Sequence, residues 1–318
     1  MANTAPAAQP KNVKSSFDIM LKQTVKNWQL ILMVLPAVII VILFNYVPMY
    51  GVTIAFQDYT PSLGFLGSPW VGFKHFIRFF NSYNAALTIR NTVLLSIYTL
   101  LWSFPIPVLL ALMLNQVQQA KFKATIQTVT YLPYFISTVV MVSILNLFLS
   151  PERGFFGAVT DLLGIANPVN PITDPTLFRS VYIASGIWQG TGFQSIVYLA
   201  TLSGVDPTLY EAAMIDGASK FQRIRHIDFP TLLPTVTIMF IMACGGLMNV
   251  GFEKTYLMQN QLNLGVSEVL STYVYKVGLE SAQYSFSTAI NLFNTVINIF
   301  LLLLMNWLSD KMSQTSLL

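Results

Sequence analysis

The stretch EAAMIDGASKFQRIRHIDFP, residues 211–230, sets six charged side chains between two long apolar runs. Its residue types suit docking rather than bond-making. Ala212 and Ala213 leave a smooth flank that another backbone can approach, and Glu211 beside them can pair with a docking surface. Leu209, Tyr210, Met214, Phe221 and Ile224 are too apolar for a free loop, so the segment is expected to pack on something. Its local punctuation is that of two short helices. Asp206 can cap the first, with Pro207 in the first helical position. Gly217 can take the left-handed conformation that ends it. Ser219 can cap a second helix, KFQRIRHI, which Pro230 and Pro234 are expected to stop. The competing reading is an ordinary amphipathic loop lying at a membrane interface.

A second set of polar residues lies inside apolar runs. GIWQGTGFQSIVYLA carries Trp188, Gln189 and Gln194 among small residues, and CGGLMNVGFEK carries Asn249 and Glu253 beyond a Gly-Gly pair. An aromatic face with nearby amides and a carboxylate is the chemistry that holds a sugar. Polar groups at membrane depth are costly and tend to face a cavity or a partner. The alternative is helix packing, in which amides bond across helices. Asn294 and Asn298, one turn apart, fit that use, and Glu253 lies close enough to an outer boundary to be solvated.

Groups for catalysis are few. The chain has two histidines, His75 and His226, and one cysteine, Cys244. The histidines fall on opposite sides of the expected membrane, so they cannot share a metal, and one cysteine cannot make an intrachain disulfide. No Gly-Lys dipeptide occurs, so no GxxxxGK[ST] phosphate loop does either. Paired acids deep in an apolar run are also missing, which argues against an intramembrane hydrolase or a carboxylate proton relay.

The elements that must position these residues are membrane spans. Of the 318 residues 54% are hydrophobic and 9% charged, against about a quarter charged in a soluble domain. No Asp, Glu, Lys or Arg occurs in 27–57, 91–120, 124–151, 180–205, 229–252 or 281–309. Each interval can supply the roughly 20 apolar residues that a crossing needs. The expected spans are 30–52, 88–116, 125–149, 179–204, 231–252 and 284–308. Prolines 105, 107 and 133 fall within them, and the carbonyls they free must find protein partners or a polar path. Trp70, Phe73, Phe76, Ile77 and Phe80 recur at near-helical spacing around Lys74 and Arg78, as in an interfacial helix. Ten Lys and Arg lie on the side of the N-terminus and seven opposite. That bias places the termini and residues 206–230 in the cytoplasm. The net charge of +4 comes from this inner face and argues for orientation, not for nucleic acid.

The hairpin spacing closely resembles the signature loop of permease subunits of binding-protein-dependent ABC importers. It reads Glu-Ala-Ala, three residues, Gly217, nine residues, Ile227, one residue, Phe229-Pro230; the family pattern has Leu where Phe229 stands. PMYGVTIAF (48–56), YLPYFIST (131–138), GFEKTYLMQN (251–260) and TYVYKVGL (272–279) look like the carbohydrate subgroup, and within it the LplB-like permeases for complex oligosaccharides. The resemblance runs from about residue 28 to 312.

What the resemblance implies is specific. The fold would be an all-α integral membrane protein, a type I importer (MetI-like) permease with six transmembrane helices and a cytoplasmic coupling hairpin. Residues 1–27 would be a cytoplasmic tail, 28–312 the permease domain with its coupling loop at 206–230, and 313–318 a second tail. Glu211, Ala212, Ala213, Asp216, Gly217, Ile227 and Pro230 match the ATPase-coupling motif. The partners would be a second, non-identical permease, two ABC ATPase subunits, an extracytoplasmic solute-binding protein, an oligosaccharide and membrane lipid. The chain itself would hold no cofactor, ATP and Mg²⁺ being bound by the ATPases. The location would be the bacterial inner membrane. Two other classes remain open here: a membrane enzyme such as a lipid-linked glycosyltransferase, and a self-sufficient carrier. Co-purification with an ATPase separates them from a permease.

Overall fold

The computed structural model describes residues 26–166 and 168–313; the expected tails, 1–27 and 313–318, lie almost wholly outside them. Two compact units are present, divided between Thr53 and Ile54, and each is described by itself. The regular structure of the described residues is helical, joined by turns and irregular segments, with one isolated bridge between Gln57 and Trp70.

The first unit holds the length of α1 (Trp28–Phe56) up to Thr53. Pro48 lies just beyond a π-helical stretch, Ile42–Tyr46. A proline ring clashes with the carbonyl four residues back, and the wider turn moves that carbonyl aside.

In the second unit α2 (Lys74–Phe80) is the amphipathic segment expected from its aromatic spacing, with His75 and Phe79 buried and Ile77 and Phe80 exposed. Then come α3 (Tyr83–Asn115), α4 (Ala120–Phe135), α5 (Thr138–Phe148) and α6 (Phe155–Leu162). They are followed by α7 (Phe178–Ser203), α8 (Pro207–Ile215), α9 (Lys220–Gly245), α10 (Phe252–Met258), α11 (Leu270–Tyr275) and α12 (Tyr284–Ser313).

Among the described residues four helices, α1, α3, α9 and α12, are long and apolar enough to cross a membrane. The third expected span is instead a broken pair, α4 and α5, bent by 100°. Pro133 and the β-region backbone of Ile136 and Ser137 make the break. The fourth, α7, is 26 residues long, but its glutamines, serines and glycines make it more polar than those four.

One expectation is corrected. Pro230 and Pro234 do not stop the second hairpin helix, because α9 runs through both. A π-helical stretch at Ile224–Asp228 precedes Pro230 and removes the clash, as it does before Pro48.

Three apolar clusters form the core: Leu95, Met141, Phe178 and Met258; Phe79, Leu270, Phe286 and Ile290; and Leu112, Tyr198 and Leu232, each with its neighbours. Lipid tails are as apolar as these side chains, so close backbone approach and hydrogen bonds must hold such helices together. Gly192 of α7 provides one approach: a Cβ there would lie 2.1 Å from the Thr130 carbonyl oxygen of α4.

Candidate functional site

The hairpin is built by its own backbone groups. The Asp206 carboxylate accepts from the Thr208 N–H at 2.9 Å, capping α8. At its other end Gly217 has φ +75°. The Gly217 N–H then reaches the Met214 carbonyl at 3.1 Å and the Ala218 N–H reaches the Ala213 carbonyl at 2.8 Å. This pair of bonds is the Schellman arrangement, which satisfies carbonyls that a helix end leaves free. Ser219 and Gln222 then cap each other's backbone at the start of α9.

Of the residues singled out here, Glu211, Ala212, Asp216, Gly217 and Pro230 are exposed, and Ala213 and Ile227 are half-buried. The expected apolar residues divide: Phe221 is 70% exposed and Leu209 and Met214 about half, while Tyr210 and Ile224 are half-buried against the chain; Ile215, outside that set, is 86% exposed.

The hairpin is tied to its own chain through a residue that spacing alone did not single out. Asp228 is fully buried. One carboxylate oxygen accepts from the Tyr210 hydroxyl at 2.5 Å and from the Asn115 amide at 3.1 Å; the other accepts from the Gln116 amide at 2.6 Å. Burial, and then the bond to Asp228, push Tyr210 up to about 12, so its hydroxyl keeps the proton it donates. α8, α9 and the end of α3 therefore meet at one carboxylate. The signal available in sequence was a lone acid at the edge of a charge-free run.

The second candidate set divides. Gln194 and Asn249 line one cavity of about 240 Å³, together with Ser96, Thr99, Ser103 and Tyr182. The chain leaves helix geometry after Gly245, and Gly246, Val250 and Gly251 of this irregular stretch also line the cavity. Irregular backbone at membrane depth is tolerated where it lines such a space. Asn249 is held in place by α12: its side-chain oxygen accepts from Asn294 at 3.2 Å and from Asn298 at 3.0 Å. The inter-helix use expected of those two asparagines is what the geometry gives.

The other three lie elsewhere. Gln189 donates to the Ile136 carbonyl at 2.9 Å, at the α4–α5 break. Trp188 is 51% exposed and does not line the cavity. Glu253 is exposed on the first turn of α10. Its neighbour Lys254, unremarked in the sequence, donates to the Tyr182 carbonyl at 2.6 Å and lies 4.3 Å from the centre of the Tyr182 ring. Among the described residues no group of three His, Cys, Asp or Glu side chains could hold a metal ion.

A capped helical hairpin and a polar-lined cavity that share the long helices α3 and α9 fit a membrane transport subunit. Residues 82–314 match the model of the family described as binding-protein-dependent transport system inner membrane component, and the chain belongs to that family. It is 40% identical over 295 residues to the polygalacturonan/rhamnogalacturonan transport system permease protein YteP of Bacillus subtilis, covering 93% of this chain and 92% of the relative. It is also 40% identical over 289 residues to protein LplB of the same organism, covering 91% and 90%. Among solved structures it is similar to a chain of a bacterial ABC transporter involved in the import of the acidic polysaccharide alginate. The TM-score is 0.85 at 37% identity, over 92% of this chain and 99% of that one. It is likewise similar, at a TM-score of 0.85 and 37% identity, to a chain of a bacterial alginate ABC transporter in complex with an alginate pentasaccharide-bound periplasmic protein.

Proposed function

We propose that this chain is a transmembrane permease subunit of an ATP-driven importer that passes an oligosaccharide into the cytoplasm by alternating access. The observation that carries the reading is the uncovered apolar tip of the hairpin, Ile215 and Phe221, on a rigidly capped frame. Large apolar groups gathered on one short exposed segment mark an interaction surface. The partner is a pair of cytoplasmic ATPase subunits, which hold ATP and Mg²⁺ and close on them. Glu211, Ala212, Ala213, Asp216, Gly217, Ile227 and Pro230 form or shape the docked surface.

Six crossings, with α4–α5 as one broken span and α7 as a more polar one, put both termini on one side, and the Lys and Arg bias makes that side the cytoplasm of a bacterial cell. A second, non-identical permease completes the path, and an extracytoplasmic solute-binding protein delivers the sugar. The cavity with Gln194 and Asn249 is this chain's share of the sugar route. The chain makes and breaks no covalent bond. Nucleotide binding and release bias a two-state movement by differential contacts.

The test is assembly and stimulation. Purified from its own host, the chain should bring an ATPase and a different permease with it. Reconstituted, the complex should hydrolyse ATP faster with sugar-loaded binding protein. Recovery of the chain alone, with sugar uptake intact, would overturn the reading.

A further inference from the structure

A separate concavity of about 450 Å³ lies between α3 and the first half of α7. Tyr98 and Trp102 form one wall, Ile183 and Ile187 another, and Thr176 and Ser180 bring hydroxyls. Arg179 is the one charged residue in its lining.

Three features make that charge costly where it stands. It occupies the first turn of α7, where the helix dipole is positive and disfavours a cation. The Arg90 charge lies within electrostatic reach and repels it. Its Nε is buried without an acceptor. Among the described residues no acidic side chain pairs with it. Arg179 makes one hydrogen bond, from Nη2 to the Asn91 side-chain oxygen at 3.3 Å. Asn91 is held for this by its own amide, which donates to the Gly265 and Glu268 carbonyls at 3.1 Å each. The acids nearby are engaged elsewhere. Asp174 accepts from the Thr176 N–H and hydroxyl, and Glu268 pairs with Lys276 at 2.9 Å. The ion pairs among the described residues include neither Arg179 nor Arg90.

A cation held in place by a second-hand amide, but given no acid, is matched to an anion from outside the chain. The walls say which kind. A hexuronate unit presents a carboxylate that suits the guanidinium fork, a C–H face that suits Tyr98 and Trp102, and hydroxyls within the reach of Thr176 and Ser180. We propose that this concavity binds the carboxylate of a uronate unit, and that Arg179 selects acidic over neutral oligosaccharides. The inference rests on the oligosaccharide-importer reading and gives its cargo a charge.

The test uses the whole complex in nanodiscs of phosphatidylcholine, without binding protein. Trigalacturonate is titrated in while tryptophan fluorescence is followed, and Trp102→Phe identifies the part of the signal that belongs to the site. The expected result is a saturable change in the wild type. Arg179→Gln should shift it at least tenfold to higher concentration, Arg179→Lys should recover part of the shift, and the methyl-esterified trimer should give none. Tyr98→Ala should shift the same curve, which keeps the test open if Arg179→Gln does not assemble. A wild-type curve in Arg179→Gln, or equal response to the methyl ester, overturns the proposal. So does a signal that appears only on adding phosphatidylglycerol and that trigalacturonate cannot displace, since the site would then belong to lipid. A complex stimulated by loaded binding protein that shows no trigalacturonate response refutes the uronate site alone. A complex that no loaded binding protein stimulates refutes the importer reading with it.

Discussion

Tyr210 and Asp228 stand on the two arms of the hairpin, and the tyrosine hydroxyl donates to the aspartate carboxylate at 2.5 Å. The same carboxylate takes the Asn115 and Gln116 amides at the end of α3. A push on the hairpin therefore reaches a long apolar helix through hydrogen bonds to a charged group, each worth about 1.5–3 kcal/mol. Asp228→Asn should leave the complex assembled while raising the ATP consumed per sugar several-fold. Tyr210→Phe should do the same to a smaller degree. The check is hydrolysis and uptake measured on one proteoliposome preparation. An unchanged ratio in both variants would mean that the joint only stiffens the fold.

Gly217 has open space where a Cβ would go, but φ +75°. The constraint is the backbone and not crowding. Gly217→Val should cost about 1–2 kcal/mol in strain and turn α8 against α9. ATPase co-purification should fall, while sugar affinity of the isolated binding protein stays the same. Gly217→Asn, which tolerates this conformation better, should retain most of the association. Equal loss in both would point away from the left-handed turn.

At Gly192 the reverse holds. A Cβ would sit 2.1 Å from the Thr130 carbonyl oxygen, so even alanine forces α7 away from α4. Overpacking of this kind costs about 1–3 kcal/mol. Gly192→Ala should lower the yield and melting temperature of the purified complex. Whatever complex does form should keep the wild-type ratio of hydrolysis to uptake.

Within the cavity Gln194 faces the space and Trp188 does not. Gln194→Leu should raise the sugar concentration needed for half-maximal uptake about tenfold, the size of one lost hydrogen bond. Trp188→Ala should leave that concentration unchanged. Uptake assays at fixed binding-protein concentration separate the two, and the opposite ranking would move the sugar route to the other face of α7.

Much of the hairpin was readable from its residues, because caps and turns are local. Asp206, Gly217 and Ser219 each act within a few positions of themselves. The helix that follows was not, because Pro230 looks like a stop unless the π-helical stretch before it is seen. The broken third span was half readable: Pro133 marked the region, but the extended backbone at Ile136 and Ser137 that completes the 100° bend has no comparable signal in residue type. The cavity was read only in part. Gln194 and Asn249 carry the right chemistry, as do Trp188 and Gln189, and only the turn of each helix decides which of them meet. Asp228 and Arg179 needed the structure altogether. Their meaning lies in which partners they have, or lack, tens of residues away.

The Asn249 side-chain oxygen takes two amides at once, from Asn294 and Asn298. Replacing Asn249 alone with an apolar residue strands two donors, and replacing either donor alone spoils an arrangement whose other half remains. Such a trio cannot be abandoned one residue at a time without an intermediate that is worse than both ends. It should therefore pass between generations as a block, and descendants that have lost it should have lost all three. The ancestry of this corner of the molecule is thus recorded less in any one asparagine than in their company.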